Sequence, residues 1–230
     1  KSMRKMVSAI ALFFVASLSQ HSNAGLISVS SVTPVLDGAD IAMLDGIGQF
    51  DPEGDQGHIW SNRPVQGQSF TTGSNSAGYL LNAVTLQNEE NNISFPTATF
   101  TVRIGSIVGN QFSAIRTETS SAPVSGYFIN DYISFVFDSP VSLAANTLYG
   151  FDWGSSGSGF TTWANVNGKY SGGEAYSSGG NSTPAADNSI VFRGVDRIFH
   201  ADLTAVPAPA TLVLFSIGFA GLGWSRRKKA

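Results

Sequence analysis

Apolar residues in the middle of this 230-residue chain recur at every second position, and this alternation constrains the fold most. It runs through Thr97 to Ile104, Tyr132 to Phe137 and Thr147 to Trp153, where aliphatic and aromatic side chains alternate with mostly polar ones. A period of two is that of a β-strand with one buried face. No helical period of useful length interrupts it. The middle of the chain is therefore predicted to consist of strands.

Turn-forming residues divide these strands at short intervals, as at Gly73, Gly109-Asn110 and Asn130-Asp131. Many short strands without intervening helices predict an all-β fold, a single β-sandwich of jelly-roll type over residues 25–205. Ser189 to Gly194 and Arg197 to Leu203 are predicted as its closing strands. The chain has no cysteine, so a core of about 180 residues must supply the stability without disulfides.

The N-terminus has the pattern of an export signal. A basic start at Lys1 to Lys5 precedes an apolar run from Met6 to Leu18, and small residues stand before a cleavage point between Ala24 and Gly25. The apolar run is short for a bilayer span and suits a signal peptide, predicted here as residues 1–24 and removed by signal peptidase. The alternative is a buried N-terminal helix.

The C-terminus combines an extended motif, an apolar segment and a basic end. The motif is Val206, Pro207, Ala208 and Pro209, and residues 210–224 carry no charge. The tail closes on a basic cluster, Arg226, Arg227, Lys228 and Lys229. Residues 210–224 are predicted to form a short transmembrane helix, with the basic cluster cytoplasmic and the preceding domain outside the membrane. The prolines keep the motif extended and accessible to an enzyme.

This order of parts resembles the PEP-CTERM sorting signal of exopolysaccharide-producing Gram-negative bacteria, with Ala208 where the usual pattern has Glu. The resemblance covers residues 206–230. It implies recognition by exosortase, a membrane cysteine transpeptidase, transient anchoring in the inner membrane and cleavage near Pro207 to Pro209. The protein would then reach the cell surface or the extracellular matrix. The alternative is a permanent single-span anchor.

A second resemblance covers Gln68 to Trp153. The segments Gln68 to Gly73, Gly78 to Leu86, Phe100 to Ile104 and Val141 to Tyr149 are similar, in this order, to the choice-of-anchor β-sandwich domains found upstream of bacterial surface-sorting tails. This resemblance implies a surface-exposed sandwich and transfers no catalytic residue.

The charges are unevenly distributed along the chain. Between Gly25 and Val206 there are six Lys and Arg residues and 16 Asp and Glu residues, a net charge of −10. An acidic domain argues against nucleic-acid binding and against adhesion to anionic lipid. It suits solubility and bridging by divalent cations in an extracellular matrix.

Catalytic chemistry has few candidate residues. Only His58 and His200 remain after removal of the signal, no thiol is present, and no G-x-S-x-G motif occurs. We therefore expect no enzymatic activity. The alternative is a surface-tethered polysaccharide hydrolase, for which two carboxylates would have to meet across a cleft.

A calcium site is predicted at Asp51, Glu53 and Asp55. These residues alternate along the chain and offer hard oxygen ligands, although the spacing is not that of an EF-hand. The alternative is a solvated acidic loop, and no cofactor is certain.

Glycan binding is predicted at Trp163, Asn165, Asn167 and Tyr170, because sugar rings stack on aromatic side chains while amides bind their hydroxyls. The polar surroundings of these residues favour this interpretation, and ordinary core packing is the alternative. Together these features predict an exported surface or matrix protein that is structural or associates with exopolysaccharide.

Overall fold

The computed structural model describes residues 25–44, 57–59, 64–89, 93–95, 99–120, 124–157, 159–165, 170–178 and 187–208. Every regular element in these ranges is a β-strand. The strands are β1 (Leu26–Ser30), β2 (Ile41–Met43), β3 (Gly57–Ile59), β4 (Val65–Thr71), β5 (Tyr79–Gln87), β6 (Ile93–Phe95), β7 (Phe100–Val108), β8 (Gln111–Ser120), β9 (Val124–Tyr127), β10 (Tyr132–Leu143), β11 (Leu148–Ser155), β12 (Phe160–Thr162), β13 (Ala164–Asn165), β14 (Ala175–Ser178), β15 (Ile190–Phe192), β16 (Asp196–Arg197) and β17 (Phe199–Ala205).

Two antiparallel sheets form the body of the domain. The five-stranded sheet has the order β1-β10-β5-β17-β2, and the six-stranded sheet has the order β15-β14-β4-β11-β7-β8. Three short two-stranded ribbons, β12-β3, β13-β16 and β6-β9, accompany them. The predicted all-β sandwich is thus confirmed, whereas the predicted signal helix and transmembrane helix lie outside the described residues.

The inner faces of the two sheets meet in one continuous apolar core. Trp153 of β11 is completely buried, and its ring lies 5.9 Å from Phe135 of β10 at an angle of 82°. Phe151 of β11 likewise lies 6.1 Å from Phe199 of β17. Such tilted and edge-to-face contacts are the favoured geometries for aromatic pairs. These rings join one sheet to the other.

The predicted strands carry this core as expected. Phe100, Val102 and Ile104 of β7 are buried on the inner face, as are Ile133, Phe135 and Phe137 of β10 and Tyr149, Phe151 and Trp153 of β11. The predicted closing strands correspond to β15 and β17. The polar segment β14, which shows no clear alternation in the sequence, is an interior strand of the six-stranded sheet, between β15 and β4.

The six-stranded sheet curls until its two edge strands meet at one end. Gln111 at the start of β8 bridges Ser189, and the amide of Phe112 donates to the carbonyl of Asn188 at 3.0 Å. The outer face of the sheet thereby encloses a second, smaller core. Its members are Ile107, Phe112, Tyr176 and Ile190, with Leu148 and Phe192 packed against them.

Glycines make room for the curl. Gly67 of β4 and Gly150 of β11 lie on the enclosed face, beneath the ring of Tyr176. A Cβ at Gly150 would stand 2.7 Å from Tyr176 Oη and 2.8 Å from Ile107 Cδ1. A Cβ at Gly67 would stand 2.5 Å from Tyr176 Cζ. Side chains at these positions would therefore exclude Tyr176 from the second core.

A buried ion pair lies beside this core. Arg103 of β7 donates from Nε to Asp152 Oδ1 at 2.9 Å and from Nη2 to Asp152 Oδ2 at 2.5 Å. Its guanidinium also lies 4.6 Å from the centre of the Phe112 ring. Complete burial raises the pKa of Asp152 above its ordinary value, and the hydrogen bonds and charge of Arg103 oppose that shift. The face of β7 that alternation assigns to solvent, which carries Arg103, is therefore partly enclosed by the second core.

Gly150→Ala is expected to lower the free energy of unfolding by about 1 to 3 kcal/mol, the usual cost of overpacking a core. Urea titration of the purified protein measures this loss. Gly38→Ala is the matched control, since a Cβ at Gly38 meets no atom within 4 Å. Equal stability of the two variants would contradict the packing described for Tyr176.

Arg103→Met is expected to cost about 3 to 5 kcal/mol at pH 7, because it leaves the Asp152 carboxylate buried without its cation. The loss should shrink on acidification. A carboxyl whose folded pKa is raised takes up a proton on folding, so its penalty is relieved as the pH falls through the folded pKa towards about 3.9, its value in the unfolded chain.

Urea titrations at pH 7 and pH 5 test this dependence. Arg116→Met is the comparison, because the Arg116 side chain is 30% exposed and its ion pair with Glu118 spans 3.3 Å. We expect a smaller loss for it than for Arg103→Met, because water reaches the Arg116 side chain whereas both partners of the Arg103–Asp152 pair are buried. A loss for Arg103→Met that is independent of pH would contradict the role assigned to Asp152.

Candidate functional site

The chain leaves the folded domain from an interior strand. β17 lies between β5 and β2, and its continuation is held by the turn that precedes β5. The amide of Val206 donates to the carbonyl of Gly78 at 3.0 Å. The carbonyl of Val206 accepts from Asn75 Nδ2 at 2.9 Å, and the same Nδ2 donates to the carbonyl of Gly78 at 2.8 Å. The Asn75 amide thus ties the end of β17 to the body of the sandwich.

The residues that follow are exposed. Pro207 and Ala208 have no regular structure and lie at the surface, while Pro209 and the rest of the tail lie outside the described residues. The hydrogen-bonded domain consequently ends at Val206, the first residue of the predicted sorting motif. Between the domain and the predicted cleavage region no structured element intervenes in the described part of the chain.

An exposed, proline-bearing motif directly after a sandwich defines the class to which this chain belongs, a folded domain followed by a processing signal. The family model of the PEP-CTERM protein-sorting motif matches residues 205–228. The chain thus carries a PEP-CTERM sorting motif, and the predicted resemblance of the tail is confirmed. It is exported, anchored transiently through its C-terminus and processed by exosortase.

The match covers only the tail. No curated protein and no solved structure matches the chain. The resemblance of the sandwich to choice-of-anchor domains therefore stays a prediction, as do the boundaries of the domain.

The two predicted membrane-related helices cannot be placed on this structure. The signal, residues 1–24, lies outside the described residues together with Ala24 at its cleavage point, while Gly25 opens the described chain. Residues 210–224 and the basic cluster Arg226 to Lys229 lie outside them too. Over the described ranges, no helix has the length and apolar character needed to cross a membrane.

Trp163, predicted to bind glycans, is partly exposed at one end of the sandwich. Its indole N–H donates to Asn130 Oδ1 at 3.0 Å. Asn130 belongs to the turn before β10, which also carries Phe128, a residue that is 59% exposed. The indole is therefore held in a fixed orientation beside a loop that presents a second aromatic ring.

Tyr170 has a different environment. Its ring packs edge-to-face on Phe199 at 5.4 Å, and its hydroxyl accepts from the amide of Thr71 at 3.2 Å. Partial burial raises the pKa of Tyr170, the hydrogen bond from Thr71 lowers it, and the charge of Asp196 raises it further. Tyr170 thus fills the margin of the main core. The backbone of Asn165 pairs with Asp196, whereas Asn167 lies outside the described residues.

The predicted calcium ligands Asp51, Glu53 and Asp55 also lie outside the described residues. Within the described ranges, no group of three or more His, Asp and Glu side chains is arranged to hold a metal ion. The calcium site stays a prediction.

A feature that the sequence interpretation missed lies on the outer face of the five-stranded sheet. Strands β1 and β2 are its two edges, so residues 31–40, here called the strap, must cross from one edge to the other. Ser28, Ser134, Thr85 and His200 stand opposite one another on four adjacent strands. They form a polar row beneath the strap. The sequence shows that polar residues occupy outward positions of these strands. Which of these residues lie side by side follows only from the register of the strands.

Asp40 holds the end of the strap on the sheet. Its Oδ2 lies 3.0 Å from His200 Nε2 and accepts from the amide of Asp37, and its Oδ1 accepts from the amide of Leu203 at 2.8 Å. The amide of Leu203 faces the strap where the β17–β5 register shifts between Asp202 and Leu203. A β-bulge redirects backbone groups in this way. The strap is therefore fixed by one buried carboxylate.

Asn75→Ala is expected to loosen the end of β17, since it removes the two hydrogen bonds that Asn75 Nδ2 donates to the carbonyls of Gly78 and Val206, each worth about 0.5 to 1.5 kcal/mol. Amide hydrogen exchange at Val206 should accelerate. Asn82→Ala is the matched control, because Asn82 contacts Asp202 and Thr204 on the same strand but not Val206. Unchanged exchange at Val206 in Asn75→Ala would show that the turn does not hold the exit.

Proposed function

We propose that this protein is a non-enzymatic component of the cell surface or extracellular matrix of a Gram-negative bacterium, and that its sandwich is structural or associates with exopolysaccharide. The observation that supports this proposal is the sorting motif at residues 205–228, which begins at the last two hydrogen-bonded residues of the domain, Ala205 and Val206. Cleavage near Pro207 to Pro209 would release the sandwich with all its strands intact. The sandwich is thus the part of the chain that acts after sorting.

Charge supports a role in a hydrated matrix. The domain between the two processing points carries −10, which keeps it soluble and allows divalent cations to bridge it to acidic polymers. The partly exposed Trp163, held by Asn130, offers a ring on which a sugar can stack. The proposed binding partner is therefore exopolysaccharide, and the proposed processing enzymes are signal peptidase and exosortase.

The double variant Pro207→Ala/Pro209→Ala is expected to impair processing. Without the two prolines the motif is no longer held in the extended conformation that an enzyme can bind. Mass spectrometry of both termini, after fractionation of the native cell, reads the result. The unaltered protein should begin at Gly25 and lack Arg226 to Lys229 in the surface or matrix fraction. The double variant should keep the basic cluster and remain with the inner membrane.

Pro140→Ala supplies the control, since Pro140 is an exposed proline of β10 far along the chain from the motif. It should be processed normally. An intact basic tail on the unaltered protein at its final location would instead establish a permanent anchor. Indistinguishable processing of the double variant would remove the prolines from the recognition step.

A further inference from the structure

The space between the strap and the outer face of the five-stranded sheet is a groove of about 340 Å³. Ligand pockets in proteins hold about 300 to 1,000 Å³, so this groove has the size for one small ligand or a short stretch of a polymer. Its floor is the polar row of Ser28, Ser134, Thr85 and His200, and its roof is formed by strap residues 32–35. None of these residues belongs to the sorting tail or to the predicted glycan site.

The floor can donate and accept hydrogen bonds at fixed positions. The hydroxyls of Thr85 and Ser134 lie 2.7 Å apart and share one hydrogen bond. Each hydroxyl has one donor and two acceptor sites, so the pair keeps further capacity towards the groove. Thr85 is 3% exposed and is held in place by the surrounding sheet. A preorganised floor of hydroxyls matches a ligand that is itself rich in hydroxyls.

The charges around the groove select against anions. Asp202 lines the groove and accepts from Asn82 Nδ2 at 3.0 Å, and the Asp40 carboxylate lies behind His200. No Lys or Arg is among the described residues of the lining. An anionic ligand would meet carboxylates without a compensating lysine or arginine, whereas carboxylates accept readily from neutral hydroxyls.

The walls are aliphatic. The apolar lining consists of Val32 and Pro34 from the strap and of Ala83 and Val136 from the sheet. Tyr132, which pairs with Ser30 across β10 and β1, also lines the groove. A groove with apolar walls and a few placed polar groups is the usual composition of a small-molecule site. A sugar ring presents C–H groups on its faces and hydroxyls at its edge, so it fits both surfaces at once.

We propose that this groove binds a neutral saccharide unit, one or two hexose rings in size, with the hydroxyl groups of Thr85 and Ser134 and the Asp202 carboxylate as its polar contacts. The inference deepens the proposed function, on which it rests, because it gives the association with polysaccharide a site of its own. Trp163, at the end of the sandwich, is a separate place of contact.

The experiment uses the processed protein purified from the cells that export it. An array of neutral oligosaccharides identifies a binder, and isothermal titration calorimetry measures its affinity, with oligomers of an acidic sugar as the anionic comparison. Neutral hexose oligosaccharides should bind and acidic ones should not. Thr85→Val should weaken binding by roughly ten-fold, since it removes one hydroxyl and keeps the shape.

Ser28→Phe is the second variant and keeps the test valid if Thr85→Val proves unstable. Ser28 is an exposed residue of the edge strand β1, and a phenyl ring there fills one end of the groove without disturbing the core. It should abolish binding at an unchanged melting temperature. Ser113→Ala, an exposed hydroxyl position on β8 of the other sheet, should bind like the unaltered protein.

Three outcomes would overturn the inference, and the first two differ in what they imply for the proposed function. If Trp163→Ala abolishes binding while Ser28→Phe and Thr85→Val leave it unchanged, the groove is not the site but the association with polysaccharide stands. If the unaltered protein binds neither the neutral array nor the exopolysaccharide of its own cells, the groove inference fails together with the association with polysaccharide, and only the structural role in the proposed function remains. Selective binding of acidic oligomers through the groove residues would contradict the assigned ligand class.

Discussion

The packing of two sheets around Trp153 is the interaction on which the rest of the structure depends. This indole is completely buried and contacts Phe100 at 6.3 Å, Phe135 at 5.9 Å and Phe160 at 5.6 Å, which brings both large sheets and the ribbon β12-β3 together. Its N–H has no hydrogen-bond acceptor among the described residues. The rings of Phe135 and Phe160 stand edge-to-face against the indole, at 82° and 86°. Because the chain has no disulfides, these aromatic contacts hold the two sheets together.

The outer faces of the two sheets have different fates. On the six-stranded sheet, Gly67 and Gly150 let Tyr176 sink against the strands, the edges meet, and the face becomes a second core with the Arg103–Asp152 pair beside it. On the five-stranded sheet the outward row stays polar, and among the described residues the strap crosses it and leaves a groove. One face therefore contributes to stability, and the other is the face on which we propose that a saccharide binds.

Much of the fold could be predicted because alternation reports burial directly. The inner faces of β7, β10 and β11 follow from Phe100, Ile133 and Phe151 and their neighbours at every second position. β14 could not be predicted, since Ala175 to Ser178 is short and polar and is buried only because the sheet curls over it. Arg103 stands at a position that alternation assigns to solvent, yet it is 6% exposed, because the curled sheet encloses this face. Its partner Asp152 is 49 residues away along the chain, so no local pattern predicts the ion pair.

The sequence by itself determined the sorting signal of this protein and its class of fold. A sorting signal is read from linear order, as proline, apolar segment and basic cluster, and a strand is read from a period of two. Tertiary structure alone decided which strands are neighbours. Ser28, Thr85, Ser134 and His200 are separated by up to 172 residues and align only through the register of four strands, and the strap covers them only because β1 and β2 occupy opposite edges. Pairing between distant segments produces no local sequence pattern. The sorting motif could therefore be predicted from the sequence, whereas the groove could not.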